Sequence, residues 1–218
     1  MFVRYYSGRV TSVFQPSLLD DGPTVTFSTA RAGSGRTPLA DGAWIELHRN
    51  WVGHSDQLFH RLMEDVPWRA ERRQMYDRVL DVPRWVAFYG QDDALPDPQI
   101  ELIRRALITR YSPELGEPFL SVGLCLYRDG RDSVAWHGDR IGRGRSEDTM
   151  VAIVSLGTPR RFLLRPKGGG RSLAHDLGRG DLLVMGGSCQ RTWEHSVPKH
   201  AAASGPRISL QFRPRGVR

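Results

Sequence analysis

The residues of this sequence with the clearest chemical potential are His137 and Asp139, in the stretch Trp136-His137-Gly138-Asp139. In an extended segment, side chains two residues apart point to the same side, so these two could hold one metal ion together. A third protein ligand would complete the site and leave coordination positions open to a substrate. Seven histidines occur in the chain, so the motif is a hypothesis until its surroundings fit.

The best candidate for a third ligand is His195, in Trp193-Glu194-His195-Ser196-Val197-Pro198. His175 and His200 are the alternatives, but the first lies in a polar turn and the second in a loop of small residues. Two histidines and one carboxylate that leave positions open are typical of non-haem Fe(II) oxygenases. The sequence therefore predicts an Fe(II) site formed by His195 together with His137 and Asp139.

A second predicted feature is an anion site on the last strand, residues 207–213. Alternation places its apolar side chains on one face and its polar side chains on the other; the polar ones are Arg207, Ser209, Gln211 and Arg213. Fe(II) of this kind needs a two-electron co-reductant to activate O2. A keto acid is one such co-reductant, and the planar fork of an arginine suits its far carboxylate. The alternative is an edge strand whose polar face meets water.

Tyr127 lies on an earlier predicted strand, ten residues before His137, on the face opposite Leu126. Its hydroxyl could donate a hydrogen bond to the same keto acid. The predicted site therefore draws on several strands of one barrel.

The charge of the chain predicts an anionic partner, with nucleic acid as the first candidate. The formal net charge is +7 and the isoelectric point is near 10.0. Only two of the 31 basic residues are lysine, and the alternative is that this skew reflects genomic base composition. Arg140, Arg143 and Arg145 follow the His-x-Asp motif directly, and we expect them, with Arg84, to contact phosphates.

Composition excludes several classes of protein. A chain of 218 residues with 39% hydrophobic residues suits one globular domain. No stretch is apolar enough to span a membrane, and the start has no signal-peptide core. The isolated Cys125 and Cys189 argue against a disulfide framework or a structural zinc site. We therefore expect a soluble, cytoplasmic monomer.

The order of predicted elements indicates an α+β fold. Ser55 is a predicted cap for a first amphipathic helix, and Asp97-Pro98 begins a second that ends at Pro113 and Gly116. From Phe119 onward short strands alternate with glycine-rich turns, which favours a sandwich or jelly roll with helices on one side. The strands are predicted at Ser121–Tyr127, Met150–Leu156, Arg161–Leu164, Asp181–Met185 and Ile208–Phe212, with shorter ones at Val25–Phe27 and Ala43–Leu47.

Taken together, these residues resemble the AlkB family of 2-oxoglutarate- and Fe(II)-dependent dioxygenases. The resemblance covers roughly residues 119–213, and Val82-Pro83-Arg84 with Tyr89-Gly90 looks like the start of the family's nucleotide-recognition region. The motifs that carry it are Tyr127-Arg128-Asp129-Gly130, Trp136-His137-Gly138-Asp139, Val154-Ser155-Leu156-Gly157, Phe162, Gly180-Asp181-Leu182-Leu183-Val184-Met185, Trp193-Glu194-His195-Ser196-Val197-Pro198 and Arg207–Arg213.

The resemblance implies a double-stranded β-helix, or jelly roll, with supporting N-terminal helices and a nucleotide-recognition lid. We divide the chain into an N-terminal extension, 1–42, a segment of helices and lid, 43–118, and the jelly-roll core, 119–218, which forms one domain with the segment before it. The implied activity is oxidative dealkylation of alkylated bases in single- or double-stranded DNA, or in RNA. Such an enzyme would bind Fe(II) and consume 2-oxoglutarate and O2. It would release an aldehyde, succinate and CO2.

The resemblance also implies roles for individual residues. His137, Asp139 and His195 would bind Fe(II). Arg207 would pair with the far carboxylate of 2-oxoglutarate, and Tyr127, Ser209 and Arg213 would line the co-substrate site.

Two positions depart from the family pattern. Cys125 stands where many members have an asparagine that contacts the co-substrate, so a weaker donor is expected there. Ile141 stands where many have an acidic residue near the exocyclic nitrogen of the substrate base. Tyr89 and Trp136 are predicted to stack on that base, with core packing as the alternative.

Two other functions remain open at this point. One is a 2-oxoglutarate oxygenase that acts on a protein or small molecule, which Ile141 favours and the basic charge disfavours. The other is a non-catalytic nucleic-acid-binding relative. The predicted metal ligands and Arg207 argue against a mere binder, which would have no need of them.

Overall fold

The computed structural model describes residues 24–29, 35–75, 78–202 and 205–217, with only the backbone course given for residues 71–81. In these parts of the chain three helices are present: α1 Ser55–Asp65, α2 Pro98–Leu115 and the single turn α3 Cys189–Thr192. The strands are β1 Thr26–Phe27, β2 Arg36–Pro38, β3 Ala43–His48, β4 Val52–Gly53, β5 Arg69–Met75, β6 Arg78–Tyr89, β7 Ser121–Tyr127, β8 Val134–His137, β9 Val151–Gly157, β10 Arg160–Pro166, β11 Leu173–Leu177, β12 Asp181–Gly187, β13 Trp193–Val197 and β14 Arg207–Arg213.

Two antiparallel sheets form the frame of the molecule. The major sheet has eight strands in the order β2-β3-β12-β9-β14-β7-β6-β5, and the minor sheet has four in the order β11-β10-β13-β8. Strands β1 and β4 form a separate small pair. The α+β jelly roll predicted from the sequence is confirmed by this arrangement.

The major sheet is buried on both faces. Strand β9 shows this clearly, because all seven of its residues are buried. Its Val154 and Leu156 join the apolar layer beneath the helices, whereas Val151 and Ile153 join the layer between the two sheets. Side chains on the second of these faces are therefore enclosed by protein on both sides, which is where a water-shielded site can form.

Helix α2 packs as its apolar periodicity predicts. The four stripe residues are fully buried: Ile100, Ile103, Leu107 and Tyr111. The predicted cap is also present, because the Asp97 carboxylate accepts a hydrogen bond from the Gln99 amide at 2.8 Å. Of the two residues predicted to end the helix, Gly116 is confirmed as the C-cap, with a left-handed φ of 79°, whereas the helix runs through Pro113 to Leu115. Tyr111 lies fully buried in the same turn and holds it against the sheet.

The start of α1 differs from the sequence prediction by one residue. Ser55 is the first helical residue, and the cap position is His54, which has a left-handed φ of 55°. Because the chain turns at His54, Ser55 already belongs to the helix, and the cap residue His54 makes no side-chain cap hydrogen bond. The predicted apolar face is correct, with Leu58, Phe59 and Leu62 buried.

The described parts of the N-terminal segment belong to the body of the protein. Strand β1 pairs with β4, and β2 forms the edge of the major sheet beside β3. Strand β3 in turn pairs with β12, and β6 pairs with β7, so residues 43–118 and the later core share one sheet. The remainder of 1–42 lies outside the described residues. Among the described residues, no helix is both long enough and apolar enough to cross a membrane.

Candidate metal and anion site

Strands β8 and β13 bring the predicted metal ligands together. They are neighbours in the minor sheet, with His137 directly opposite His195 and the two imidazole rings 4.2 Å apart. Asp139 follows two residues after the end of β8. One ligand atom from each of the three side chains lies within 4.8 Å of the other two. This is the only group of metal-binding side chains found among the described residues, and it includes neither His175 nor His200.

Neighbouring groups fix the orientation of both imidazoles. The Nδ1–H of His137 donates to the carbonyl of Ala135 at 2.8 Å, which leaves Nε2 as the ligand atom. The Phe162 ring stacks on His195 with a centroid distance of 5.3 Å and an interplanar angle of 19°. Burial lowers the pKa of His195 to about 3, with the neighbouring His137 acting in the same direction. His195 is therefore neutral at physiological pH, as a metal ligand must be.

Two hydrogen bonds hold Asp139 in place. Its amide donates to the Gln190 side-chain oxygen at 3.0 Å, and the Arg213 Nε donates to Oδ2 at 2.7 Å. Burial by itself raises the pKa of this carboxyl. The positive charge of Arg213 outweighs that effect, together with the adjacent histidines, and the pKa lies well below its usual value. Asp139 is therefore ionised, with Oδ1 left to face a cation.

The glycine between the two ligands is required by space. A Cβ at Gly138 would lie 2.6 Å from the Gln190 carbonyl oxygen. Only a glycine lets the chain pass this closely to the turn that carries Gln190, so the His-Gly-Asp spacing and the Gln190 contact depend on each other.

Arg207 forms the second feature of the site. It lies on β14 with a relative exposure of 1%. Its Nη2 donates to the Ser155 hydroxyl at 2.7 Å, whereas Nε and Nη1 are buried without a hydrogen-bond partner among the described residues. Burial lowers the pKa of this guanidinium, and the Tyr127 ring lies 5.3 Å from it. A buried cation with two unused donors is suited to an anion that arrives from outside the chain.

Both features open onto one cavity of about 50 Å³. The residues predicted to hold the co-substrate all line it: Cys125, Tyr127, Arg207, Ser209 and Arg213. The three predicted metal ligands line it as well. The residues present therefore fit a divalent iron and a dicarboxylate. The His-Asp-His donor set suits Fe(II), and the unpartnered donors of Arg207 suit a carboxylate.

Three of the residues predicted to contact the nucleic-acid substrate are placed apart from one another. Arg84 is buried and lines the metal cavity rather than the surface. Trp136 points to the other face of β8, where the Arg165 guanidinium lies 4.1 Å from its ring. Tyr89 packs against the helix-side core and lines a separate groove, shared with Phe88. The structure thus brings only Arg84 of these three into the cavity.

The loop after Asp139 presents one apolar and one basic side chain to solvent. Ile141 is 71% exposed, and Arg145 is exposed, with no ion pair within the described chain. Arg143 instead pairs with Glu117 at 2.7 Å and Glu147 at 2.8 Å. Arg140 lies 3.6 Å from Glu194. Of the three predicted phosphate contacts in this loop, Arg145 is the least engaged within the protein.

Three residues of the site were not assigned a role from the sequence. Gln211 lines the cavity, Phe162 stacks on a ligand and Gln190 holds the backbone of Asp139. The alternation of β14 places Gln211 on the polar face and was a usable signal. No sequence signal marks Gln190, because its contact depends on the turn of α3.

Comparison with known proteins gives consistent similarities. The sequence profile of the 2OG-Fe(II) oxygenase superfamily matches residues 50–213. The human alpha-ketoglutarate-dependent dioxygenase alkB homolog 3 is 30% identical over 225 residues, which covers 93% of this chain and 76% of that protein. The Arabidopsis thaliana DNA oxidative demethylase ALKBH2 is 34% identical over 226 residues, which covers 85% of this chain and 68% of that protein.

A solved structure shares the architecture at lower sequence identity. The structure of OsALKBH1 superposes with a TM-score of 0.57 at 17% identity, over 83% of this chain and all of that one. At this level of identity the likeness concerns the fold. It agrees with the two-sheet frame that carries the cavity.

Proposed function

Since the chain belongs to the AlkB family of the 2OG-Fe(II) oxygenase superfamily, we propose that it oxidatively removes alkyl groups from nucleobases of DNA or RNA. Membership of the family makes it a dioxygenase that uses Fe(II) and 2-oxoglutarate. The proposal adds the substrate and the roles of individual residues. It rests above all on Arg207, a buried cation that keeps two unused donors beside a His-Asp-His group.

His137, Asp139 and His195 hold the metal in this proposal. The hydrogen bond from His137 to Ala135 and the stacked ring of Phe162 keep the imidazoles pointed at one place. Arg213 engages one carboxylate oxygen of Asp139 and leaves the other for the metal. A set of three protein ligands would leave coordination positions open for the co-substrate and O2.

Arg207 binds the far carboxylate of 2-oxoglutarate. Its Nε and Nη1 form the edge of a guanidinium that can grip both oxygens of a carboxylate. Burial keeps the Tyr127 hydroxyl protonated, because it raises the pKa of that group, so this hydroxyl can donate to the same ligand. Cys125 and Ser209 are cross-strand partners, and Ser209 lies on β14 between Arg207 and the Arg213 that holds Asp139.

The chemistry that bound Fe(II) and 2-oxoglutarate supply is O2 activation, with hydroxylation of the N-alkyl carbon and release of succinate and CO2. The hydroxylated carbon then leaves the base nitrogen as an aldehyde. The protein supplies position and charge: it fixes the ligands, neutralises the co-substrate and encloses the cavity between two sheets.

A nucleobase reaches this cavity only if it is unstacked or single-stranded. The net charge of +7 favours a polyanionic substrate, and Arg145 and Ile141 lie exposed just after the ligand Asp139. The similar protein from Arabidopsis thaliana is a DNA oxidative demethylase, which supports the same substrate class. We expect a monomer that acts on one strand at a time.

A second candidate is oxidation of a protein or small molecule by the same centre. The exposed Ile141 favours it, because an apolar side chain two residues past the ligand offers no hydrogen bond to a base. Replacement by an acid, Ile141→Asp, separates the two. Faster turnover of methylated bases in that variant supports a nucleobase site, whereas unchanged turnover points to other substrates.

The experiment that tests the proposal is incubation with methylated single- and double-stranded oligonucleotides, Fe(II) and 2-oxoglutarate. We expect loss of the methyl group from the oligonucleotide, with matching formaldehyde and succinate. His137→Ala is expected to abolish all three, whereas His60→Ala, on the exposed face of α1, serves as the matched control. Turnover of 2-oxoglutarate that no methylated oligonucleotide stimulates would overturn the nucleobase substrate.

A further inference from the structure

We propose that Gln211 is a positioning residue, which orients the Ser209 hydroxyl toward bound 2-oxoglutarate and fixes the Cys125 thiol beside it. The inference rests on the co-substrate assignment above and deepens it. Of the four polar side chains of β14, Arg207 has an anion to bind and Arg213 holds Asp139. Gln211 lines the same cavity and has no part in the mechanism so far.

The side-chain amide of Gln211 forms hydrogen bonds with two other residues that line the cavity. Its Nε2 donates to the Ser209 hydroxyl at 2.7 Å and to the Ser209 carbonyl at 3.0 Å. Its Oε1 accepts from the Cys125 thiol, with a sulfur–oxygen distance of 3.7 Å. Both hydrogens of the amide are therefore used within the chain, and its orientation is set by two different partners.

This contact determines which way the Ser209 hydroxyl acts. A hydroxyl that accepts from an amide has its one hydrogen left to donate elsewhere. Ser209 is buried, lines the cavity, and lies one alternation along β14 from Arg207. The hydrogen can thus point at the dicarboxylate that Arg207 anchors, and a donor beside an anion is favourable.

Cys125 completes the same arrangement from the neighbouring strand. It pairs directly with Ser209 across β7 and β14. Because its S–H donates to Gln211, the thiol is turned along the sheet rather than left to rotate. The Gln211 amide therefore fixes the orientation of two cavity-lining groups, the Cys125 thiol and the Ser209 hydroxyl.

Room for Gln211 comes from a glycine on β7. Gly123 is the cross-strand partner of Gln211. A Cβ there would lie 3.1 Å from the Gln211 Oε1 and 3.0 Å from the Arg213 Nη1. The absence of a side chain at this point lets both polar groups lie across the strand.

The test measures co-substrate affinity by calorimetry in the full chain loaded with Mn(II), which occupies such sites without O2 chemistry. We expect Gln211→Met to weaken 2-oxoglutarate binding about tenfold, as loss of an oriented hydrogen bond to a charged group does. Mn(II) affinity is expected to match the wild type. Gln91→Met, the same exchange in an exposed turn, is the matched control.

A second arm asks whether Gln211 acts through Ser209. In a Ser209→Ala background, Gln211→Met is expected to change affinity by less than about twofold, because the oriented hydroxyl is already gone. An equal tenfold loss in both backgrounds, or no loss in either, overturns the inference. If Gln211→Met lowers the unfolding temperature, Gln211→Leu repeats the comparison.

These outcomes are separate from those of the nucleobase proposal. Binding of 2-oxoglutarate needs no nucleic acid, so normal binding without product from methylated oligonucleotides overturns only the substrate. A wild type that binds 2-oxoglutarate while Gln211→Met binds it equally well overturns only the role of Gln211.

Discussion

Two groups of buried charged side chains lie on opposite faces of the major sheet. On the helix side, the Glu46 carboxylate is fully buried and accepts from His48 at 2.7 Å, the Tyr111 hydroxyl at 2.9 Å and Arg110 at 3.3 Å. Arg36 reaches its other oxygen at 3.2 Å. On the other side, Arg207 keeps two donors unused among the described residues. The Glu46 carboxylate thus has partners for both of its oxygens within the described part of the chain, whereas Arg207 has two donors without one.

The difference separates scaffold from site. Breaking a buried charge pair costs about 3 to 5 kcal/mol, so a saturated cluster fixes the elements that contribute to it. Glu46 joins β2, β3 and α2 in this way. A buried cation with unsatisfied donors costs stability, and a fold keeps that cost where a ligand offsets it. Among the described residues, Arg207 is the one guanidinium with two buried donors left unpaired, and this marks it as a binding group.

The largest expected effect breaks the scaffold group. Glu46→Gln removes the charge that balances Arg36 and Arg110, and we expect a loss of about 3 kcal/mol in unfolding free energy, at the lower end of the range for broken buried pairs. Urea denaturation measures it. Glu114→Gln, which changes a half-exposed partner of Arg36, is the control and should cost at most about 1 kcal/mol. Similar losses in both variants would contradict the saturated-cluster interpretation.

Removal of the Arg207 guanidinium should weaken ligand binding without lowering the stability of the ligand-free protein. Arg207→Met is expected to weaken 2-oxoglutarate binding at least about 100-fold, as truncation of a buried charge partner does. The free energy of unfolding without ligand should stay level or rise, since an unpaired buried charge is removed. Arg161→Met, at an exposed arginine of β10, is the control. Destabilisation of the ligand-free protein would show that Arg207 belongs to the scaffold.

Ligand addition sharpens the same contrast. With Mn(II) present, 2-oxoglutarate at 100 times its dissociation constant should raise the unfolding free energy of the wild type by about 2.7 kcal/mol. The Glu46→Gln protein should gain the same amount from its lower baseline, whereas Arg207→Met should gain almost nothing. Thermal unfolding with and without ligand measures all three. An equal gain in Arg207→Met would place the carboxylate elsewhere.

The smallest expected effect concerns Tyr111, whose hydroxyl donates to Glu46. Tyr111→Phe should cost about 1 to 2 kcal/mol at pH 7, because a buried acceptor loses one donor. Burial raises the pKa of Tyr111 above its usual 10. As pH rises, the phenol therefore ionises in the unfolded chain before it does so in the folded protein. Its contribution to the free energy of unfolding is complete below pH 10 and is lost as pH rises further. The stability difference between wild type and variant should therefore shrink above pH 10, and a constant difference would contradict this.

The sequence predicts more of the residues around the cavity than of the buried cluster around Glu46. His137, Asp139 and Arg207 were predictable because strand alternation fixes which side chains share a face. The Glu46 cluster was not predictable, since it gathers residues from β2, β3 and α2 through long-range packing. The face of Trp136 was missed as well, because the ring lies opposite His137 on β8 and meets Arg165 from a later strand.

The sequence was least informative about the surface arginines predicted to contact phosphates. Arg143 looks available in the sequence, but Glu117 and Glu147 engage it once the loop folds back on the chain. The role of Gln211 depends on hydrogen bonds to two other strand positions. Local patterns therefore point to residues that the fold brings to one cavity, whereas their orientation requires the assembled sheets.

The most direct test of the account is the mass of a singly methylated single-stranded oligonucleotide after incubation with the protein, Fe(II), 2-oxoglutarate and O2. The account predicts the unmethylated mass, with formaldehyde and succinate in equal amounts, and no change with Arg207→Met or His137→Ala. An unchanged mass with the wild type, while succinate still accumulates, would contradict it.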